Sequence, residues 1–314
     1  MTELHLLAGY STGLPGGVGR LWHTIRQSNG SWLAWGDVEN AAGERGFISD
    51  HDAAAVAGEL HVCGVSVQGA LPFHSFTLYH TIRHTNGSWE PFGNVERVAS
   101  DPAGVFQTVG CTGVNGELHV CGYSDGRLYH SIRRVNGSWT SFGDVFRVAG
   151  LTQLAGPNTS IACATVDNEL HVTVALGSIY HTIRHANGSW DPFTNLQFAI
   201  GNPGPIGEVA CAGFAGQLHL CAITGGKLLH TLRDATGLWG PFRDVELRAG
   251  ERGYFSKVAL SAEPNGDLHA AGITNDGRLW HSLRTVNDVW TSFGDVEGQS
   301  GETGTLETVS IAVV

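Results

Sequence analysis

The sequence predicts an all-β chain folded as a six-bladed β-propeller, and three observations carry that prediction. One pattern recurs around His23, His80, His130, His181, His230 and His281, at intervals of 57, 50, 51, 49 and 51 residues. Each unit divides into four short stretches separated by Gly-containing turns. The termini are out of phase with the units, since the chain opens on the second stretch of a unit and closes on a first one. A fixed period near fifty marks a repeat architecture, and four antiparallel strands per repeat mark a propeller blade.

The elements of one unit follow in order. A small apolar run, Thr108 to Thr112, reads as the first strand. The second is Glu117 to Cys121, the third Arg127 to Arg133, and the fourth Trp139 to Val145. Asn115-Gly116, Asp125-Gly126 and Asn136-Gly137 separate them. Such pairs favour tight hairpins because type I′ turns need φ > 0 at both central residues. No segment shows a helical period with caps, so no helix is expected. The strands do not alternate cleanly, as expected where both faces of a sheet pack on neighbours.

Glu3 to Leu7 is a second strand with no first strand before it, and Glu307 to Val314 is a first strand with nothing after it. Joining the ends spaces His269 to His5 by 50 residues, in step with the repeat. The last strand is therefore expected to complete the first blade, making residues 1–314 one domain of six repeats of about 50 residues and removing open sheet edges. Two segments stand out. Asn40 to Gly58 reads as a long connection carrying Asp50-His51-Asp52, and Val65 to Thr77 carries the extra stretch Gln68 to His74. Long loops in a compact fold are often functional.

Composition narrows the function. A net charge of −11 and only two lysines, Lys227 and Lys257, argue against a nucleic-acid partner, which needs clustered cations. No apolar run approaches the ~20 residues of a membrane span, so no membrane insertion is expected. The start lacks the basic and apolar regions of a signal peptide, so cytoplasmic synthesis is the expectation, with non-classical release as the route outward. The six cysteines fall at two repeat positions that Ala53, Ser261, Ile311, Leu7, Thr173 and Ala271 fill elsewhere. That exchange points to buried free thiols rather than disulfides.

One Arg ends every third strand: Arg26, Arg83, Arg133, Arg184, Arg233 and Arg284. One Trp opens every fourth: Trp32, Trp89, Trp139, Trp190, Trp239 and Trp290. Two readings are open. The pairs are structural, with the Arg stacked on indole or paired with Asp37, Asp144, Asp244 or Asp295. Alternatively they bind sugars, which need a flat aromatic face and fixed donors for hydroxyls. Twelve of the sixteen histidines form two repeated sets. One His per blade at a common height reads as a buried hydrogen-bond anchor tying strand to loop, with ligand contact and, where three or four converge, metal binding as the alternatives. The Asn-Gly-Ser sequons at Asn29, Asn86, Asn136 and Asn187, and the Asn158-Thr-Ser sequon, read as turns. Asp50-His51-Asp52 is the one local acid–base cluster outside the repeat, and reads as a solvated loop, with catalysis or metal binding as the alternative. No phosphate loop, metal-spaced Cys pair or nucleophile elbow appears, so no cofactor, no metal and no catalytic residue is assigned.

The run Leu21-Trp-His-Thr-Ile-Arg-Gln-Ser-Asn-Gly-Ser-Trp-Leu-Ala-Trp35 resembles the blade motif of PLL-type bacterial β-propeller lectins, and more loosely that of tectonin and tachylectin-type propellers. The resemblance implies glycan sites in clefts between blades, often for fucose or methylated sugars. It makes the strand aromatics Trp22, Tyr79, Tyr129, Tyr180 and Trp280, with the hairpin tryptophans, candidate site walls. Departures are Phe92, Phe142, Phe193, Phe242 and Phe293 in place of the second Trp, Leu229 in place of a strand aromatic, and six repeats where those lectins commonly have seven. The expected function is a multivalent carbohydrate-binding protein without catalysis, whose partners are glycans or glycoconjugates. The alternatives are a protein-interaction scaffold using the region near Asn40 to Gly58, and an enzyme with its site in the central channel.

Overall fold

A computed structural model describes residues 2–10, 19–68, 75–100, 104–152 and 159–314. It holds six sheets of four antiparallel strands in a ring, a six-bladed β-propeller. Blade 3 shows the plan: an inner strand Phe106–Val114, then Glu117–Ser124, Arg127–Arg133 and a two-residue outer strand Gly143–Asp144. The inner strands pack side by side around a channel, and Thr308–Val313 lies between Phe47–Val56 and Phe255–Ala262. That last strand pairs with Leu4–Tyr10, Leu4 opposite Val313 and Gly9 opposite Thr308, so the C-terminal strand completes blade 1 as expected. Six apolar clusters form the core, one in each seam between blades; the cluster between blades 2 and 3, for example, joins Val65 and Leu78 to Val109 and Leu118.

Local chemistry explains the turns. Asn115 and Gly116 have φ of 52° and 77°, and Asp125 and Gly126 48° and 77°, as a two-residue hairpin with the strand twist demands. The third pair differs from the expectation. At Asn136-Gly137 only the glycine is left-handed, and the Asn136 side chain accepts from the Ser138 N–H at 3.0 Å and its hydroxyl at 2.7 Å. Asn29, Asn86 and Asn187 repeat this self-bonded turn, while Asn158 lies outside the described residues.

Two further expectations need correction. Each described blade carries a one-turn helix after its outer strand, such as Val145–Val148, capped by the Asp144 carboxylate accepting from the Arg147 N–H at 3.0 Å. One turn is too short to show a period, so only the cap was there to read. Asn40 to Gly58 is not a loop. It contributes to the helix Val38–Ala42 and forms the inner strand Phe47–Val56, the counterpart of the other five inner strands. The extra stretch of blade 2 falls on residues 69–74, outside the described residues.

Candidate functional site

The pleat of the third strand decides what faces each seam. Leu128, His130 and Ile132 point to one side of blade 3, and Tyr129, Ser131 and Arg133 to the other. Every seam therefore receives a third-strand His from one blade and the Arg and Trp of the next. Around the ring, His23, His80, His130, His181, His230 and His281 meet the ring edges of Trp89, Trp139, Trp190, Trp239, Trp290 and Trp32, with centroids 5.4–5.6 Å apart.

The histidines anchor differently from the expectation: they bond to each other. In every blade the second-strand Nδ1 meets the third-strand Nε2 at 2.9–3.1 Å, as in His61 with His80 and His119 with His130. Burial, and then the guanidinium of the next blade, hold His5, His61, His119, His171 and His219 down to about 4. Their third-strand partners are likewise held well below the ordinary histidine value, by burial first. The pairs are thus neutral at physiological pH. The matching six-fold spacing of the two sets was in the sequence; their diagonal approach across the sheet was not.

The repeated Arg and Trp are brought together as expected, each Arg bridging its own Trp across the hairpin. The suggested aspartate partners are not used. Asp37, Asp144, Asp244 and Asp295 pair instead with the first residue of the third strand or its neighbour, Arg20, Arg127, Lys227 and Arg278. Arg26, Arg83, Arg133, Arg184 and Arg233 are half-buried, and their guanidiniums make no hydrogen bond or ion pair among the described residues. Each guanidinium lies against the hairpin glycine of its own blade: a Cβ on Gly30, Gly87, Gly137, Gly188 or Gly237 would sit 3.0–3.5 Å from an Nη2. Carboxylates stand nearby. Glu3, Glu117 and Glu263 attract Arg83, Arg184 and Arg26, while burial disfavours the charge on all three arginines.

These groups line real space. A cavity of about 180 Å³ between blades 6 and 1 is walled by Arg26, Gln27, Ser28, Glu263 and His269. Another of about 280 Å³ between blades 3 and 4 is walled by His130, Asp144, Arg147, Ser189 and Trp190. A guanidinium offers only donors, a carboxylate only acceptors, and the indole an apolar wall. The strand aromatics Trp22, Tyr79, Tyr129, Tyr180 and Trp280 are not among the residues walling these two cavities. Tyr129 lies four residues before Arg133, ~13 Å along the strand, against Phe106. Tyr79 and Trp280 lie under the guanidiniums of Arg45 and Arg252, at 5.3 and 4.7 Å.

Asp50-His51-Asp52, read as a solvated loop, is on the inner strand of blade 2 and binds the ring together. Asp50 and Asp52 accept from the N–H groups of Val109 and Cys111 in blade 3, at 2.8 and 2.7 Å. His51 Nδ1 lies 2.8 Å from Ser310 Oγ in blade 1. Burial pushes Asp52 up to about 7 and His51 down to about 3. The channel, a cavity of about 210 Å³, also holds a Lys257–Glu208 pair at 2.8 Å, with Ser160 donating to Glu208 at 2.7 Å. All six thiols are free and buried. Among the described residues no cluster has the ligands to hold a metal, and no helix is long and apolar enough to cross a membrane.

No family model matches the sequence, and no curated protein does either. Solved structures do. The chain is similar to a fungal lectin from Aleuria aurantia, described as a six-bladed β-propeller with a novel mode of fucose recognition, at TM-score 0.59 and 11 % identity over 94 % of this chain and 97 % of that one. It is similar to the SapL1 lectin in complex with α-methyl fucoside, at TM-score 0.59 and 14 % identity over 92 % and 94 %. It is equally similar to a protein of unknown function from Bacteroides caccae, at TM-score 0.60 and 12 % identity over 98 % of each chain. Likeness at this identity establishes the fold.

Proposed function

We propose that this protein is a multivalent lectin that takes glycans into the clefts between its blades and catalyses no reaction. One observation carries the reading: five half-buried guanidiniums recur around the ring with no hydrogen-bond or ion-pair partner among the described residues, and that of Arg26 lines a cleft beside Glu263. Desolvating a cation without pairing it costs free energy, so an unpaired guanidinium repeated around a ring points to a partner from outside. The carboxylates near Arg26, Arg83 and Arg184 and the net charge of −11 disfavour an anion as that partner. A neutral sugar suits better, because its hydroxyls both accept from Arg and donate to Glu.

The structural neighbours that bind fucosides support a deoxy-sugar such as fucose, in line with the PLL-type resemblance of the Leu21 to Trp35 run. The absence of catalysis is supported by the channel, where Asp50, Asp52, Glu208 and Lys257 are engaged by backbone groups or one another. The scaffold reading loses its proposed surface, since Asn40 to Gly58 runs into the inner strand of blade 2. A glycan array probed with the labelled protein tests the proposal. Hits sharing one terminal sugar are expected; a blank array across varied glycans and salt would overturn it.

A further inference from the structure

One cleft departs from the other five, and the departure is built by a single residue. Where five hairpins place a glycine with φ of 82–91°, blade 6 places Asp288 at φ 63°. A left-handed non-glycine residue is uncommon, although Asp tolerates the region better than most, and such outliers mark positions where the side chain earns its place. The Asp288 carboxylate accepts from Arg284 Nε at 3.0 Å, the repeated arginine of its own blade. It also accepts from Arg243 at 3.3 Å and Arg248 at 3.1 Å, both in blade 5. Arg284 is accordingly 9 % exposed, the one buried member of its set. The acid that opens the second strand elsewhere is Gln217 in blade 5, so this cleft also lacks the usual carboxylate.

We infer that the cleft between blades 5 and 6 is a sealed seam: Asp288 occupies the guanidinium that a ligand oxygen takes in the other clefts, leaving five competent clefts per chain. The cleft is not short of room. A groove of about 330 Å³ runs past His230, Trp239, Arg243, Arg284 and Asp288. What it lacks is a repeated guanidinium free of a carboxylate, since Asp288 already holds Arg284 through Nε. An internal carboxylate, tethered in the chain and held by three arginines, out-competes a neutral hydroxyl that must be brought from solution. The same contacts staple blade 5 to blade 6, so the seam exchanges a binding site for a cross-ring tie.

The competence of the other five clefts rests on the proposed function, but the state of Arg284 does not, and the test separates the two. Phenylglyoxal modifies unpaired guanidiniums, and peptide mapping by mass spectrometry reads each arginine. In the unmodified sequence Arg284 should react about tenfold or more slowly than Arg26, Arg83, Arg133, Arg184 and Arg233, the ratio one charge-assisted hydrogen bond implies. In Asp288→Gly it should react at the rate of the others. Asp288→Asn, which keeps the left-handed conformation and loses the charge, provides a second folded variant and should raise the rate partway. Equal labelling in the original protein, or an Arg284 that stays slow in a folded Asp288→Gly variant, would overturn the assignment. Calorimetric titration with methyl α-fucoside then counts sites: five per chain should become six in Asp288→Gly, and an unchanged count overturns the seal. Absence of binding by either protein counts against the fucoside reading, while the labelling still decides the role of Asp288.

Discussion

At the scale of single residues, the clefts separate two kinds of polar group. The histidine pairs are finished structures, buried and bonded to each other, whereas the guanidiniums of five arginines have no hydrogen-bond or ion-pair partner among the described residues. The pairs predict an acid-labile fold. Histidines held near 4 in the folded state, against 6.5 when exposed, are neutral when folded and take up protons on unfolding between those values. The unfolded state binds more protons in that window, so stability is full above about 6.5 and is lost as pH falls toward 4. Asp52 and Glu39, pushed up to about 7, act in the opposite sense, as do Asp50, Glu246 and Glu297, but these five carboxyls stand against twelve paired histidines and His51, all lowered. Denaturant midpoints should therefore fall between pH 6.5 and 4, by more than ~1 kcal/mol per unit; a flat profile would contradict the neutral pairs. In the cleft of blades 1 and 2, Trp89→Ala should cost ~3 kcal/mol, since the indole packs on His23 of the neighbouring blade, whereas Arg83→Ala should leave stability within ~1 kcal/mol and remove one site. Thermal melts beside titrations check both. The sequence showed which residues repeat but left Arg and Trp undecided between packing and binding. The structure adds that each Trp edge packs on a histidine of the neighbouring blade, a contact across blades that no local pattern encodes.

At the scale of elements, the strands were legible and the connections less so. Period-50 spacing and paired Asn-Gly or Asp-Gly turns place three strands of each blade, because hairpin chemistry is local. The outer strand shrinks to two residues and hands over to a one-turn helix, too short to leave a periodic trace. The inner strand of blade 2 escaped because Asp50 and Asp52 look like loop residues. They are affordable there only because the neighbouring strand edge offers N–H groups that need acceptors. Asp52→Ala should strip the Cys111 and Ala53 amides of their acceptor and cost ~1–3 kcal/mol, read by chemical denaturation. A neutral result would mean that water replaces the carboxylate and that the tie between blades 2 and 3 is dispensable.

At the scale of the whole molecule, ring closure and repetition serve one end. Thr308–Val313 pairs with Leu4–Tyr10, so the first blade is held by both ends of the chain and Leu4–Tyr10 is not left as an open edge. Deleting residues 308–314 should expose the Leu4–Tyr10 edge and give concentration-dependent association in light scattering; a monodisperse, equally stable monomer would deny the closure its role. A rigid closed ring holds near-equivalent clefts at fixed angles, and engaging several at once raises apparent affinity by ~10²–10⁴ over one weak site. This closure was readable from the out-of-phase ends alone, since it follows from counting. The difference between five clefts and the sixth was not, because it depends on where the Asp288 carboxylate reaches. The most direct test of the central claim is a crystal structure with the best ligand from the array. Sugar hydroxyls should bond to the guanidiniums of Arg26, Arg83, Arg133, Arg184 and Arg233. Sugar bound only in the channel or on the helix face, with those five guanidiniums untouched, would contradict the account.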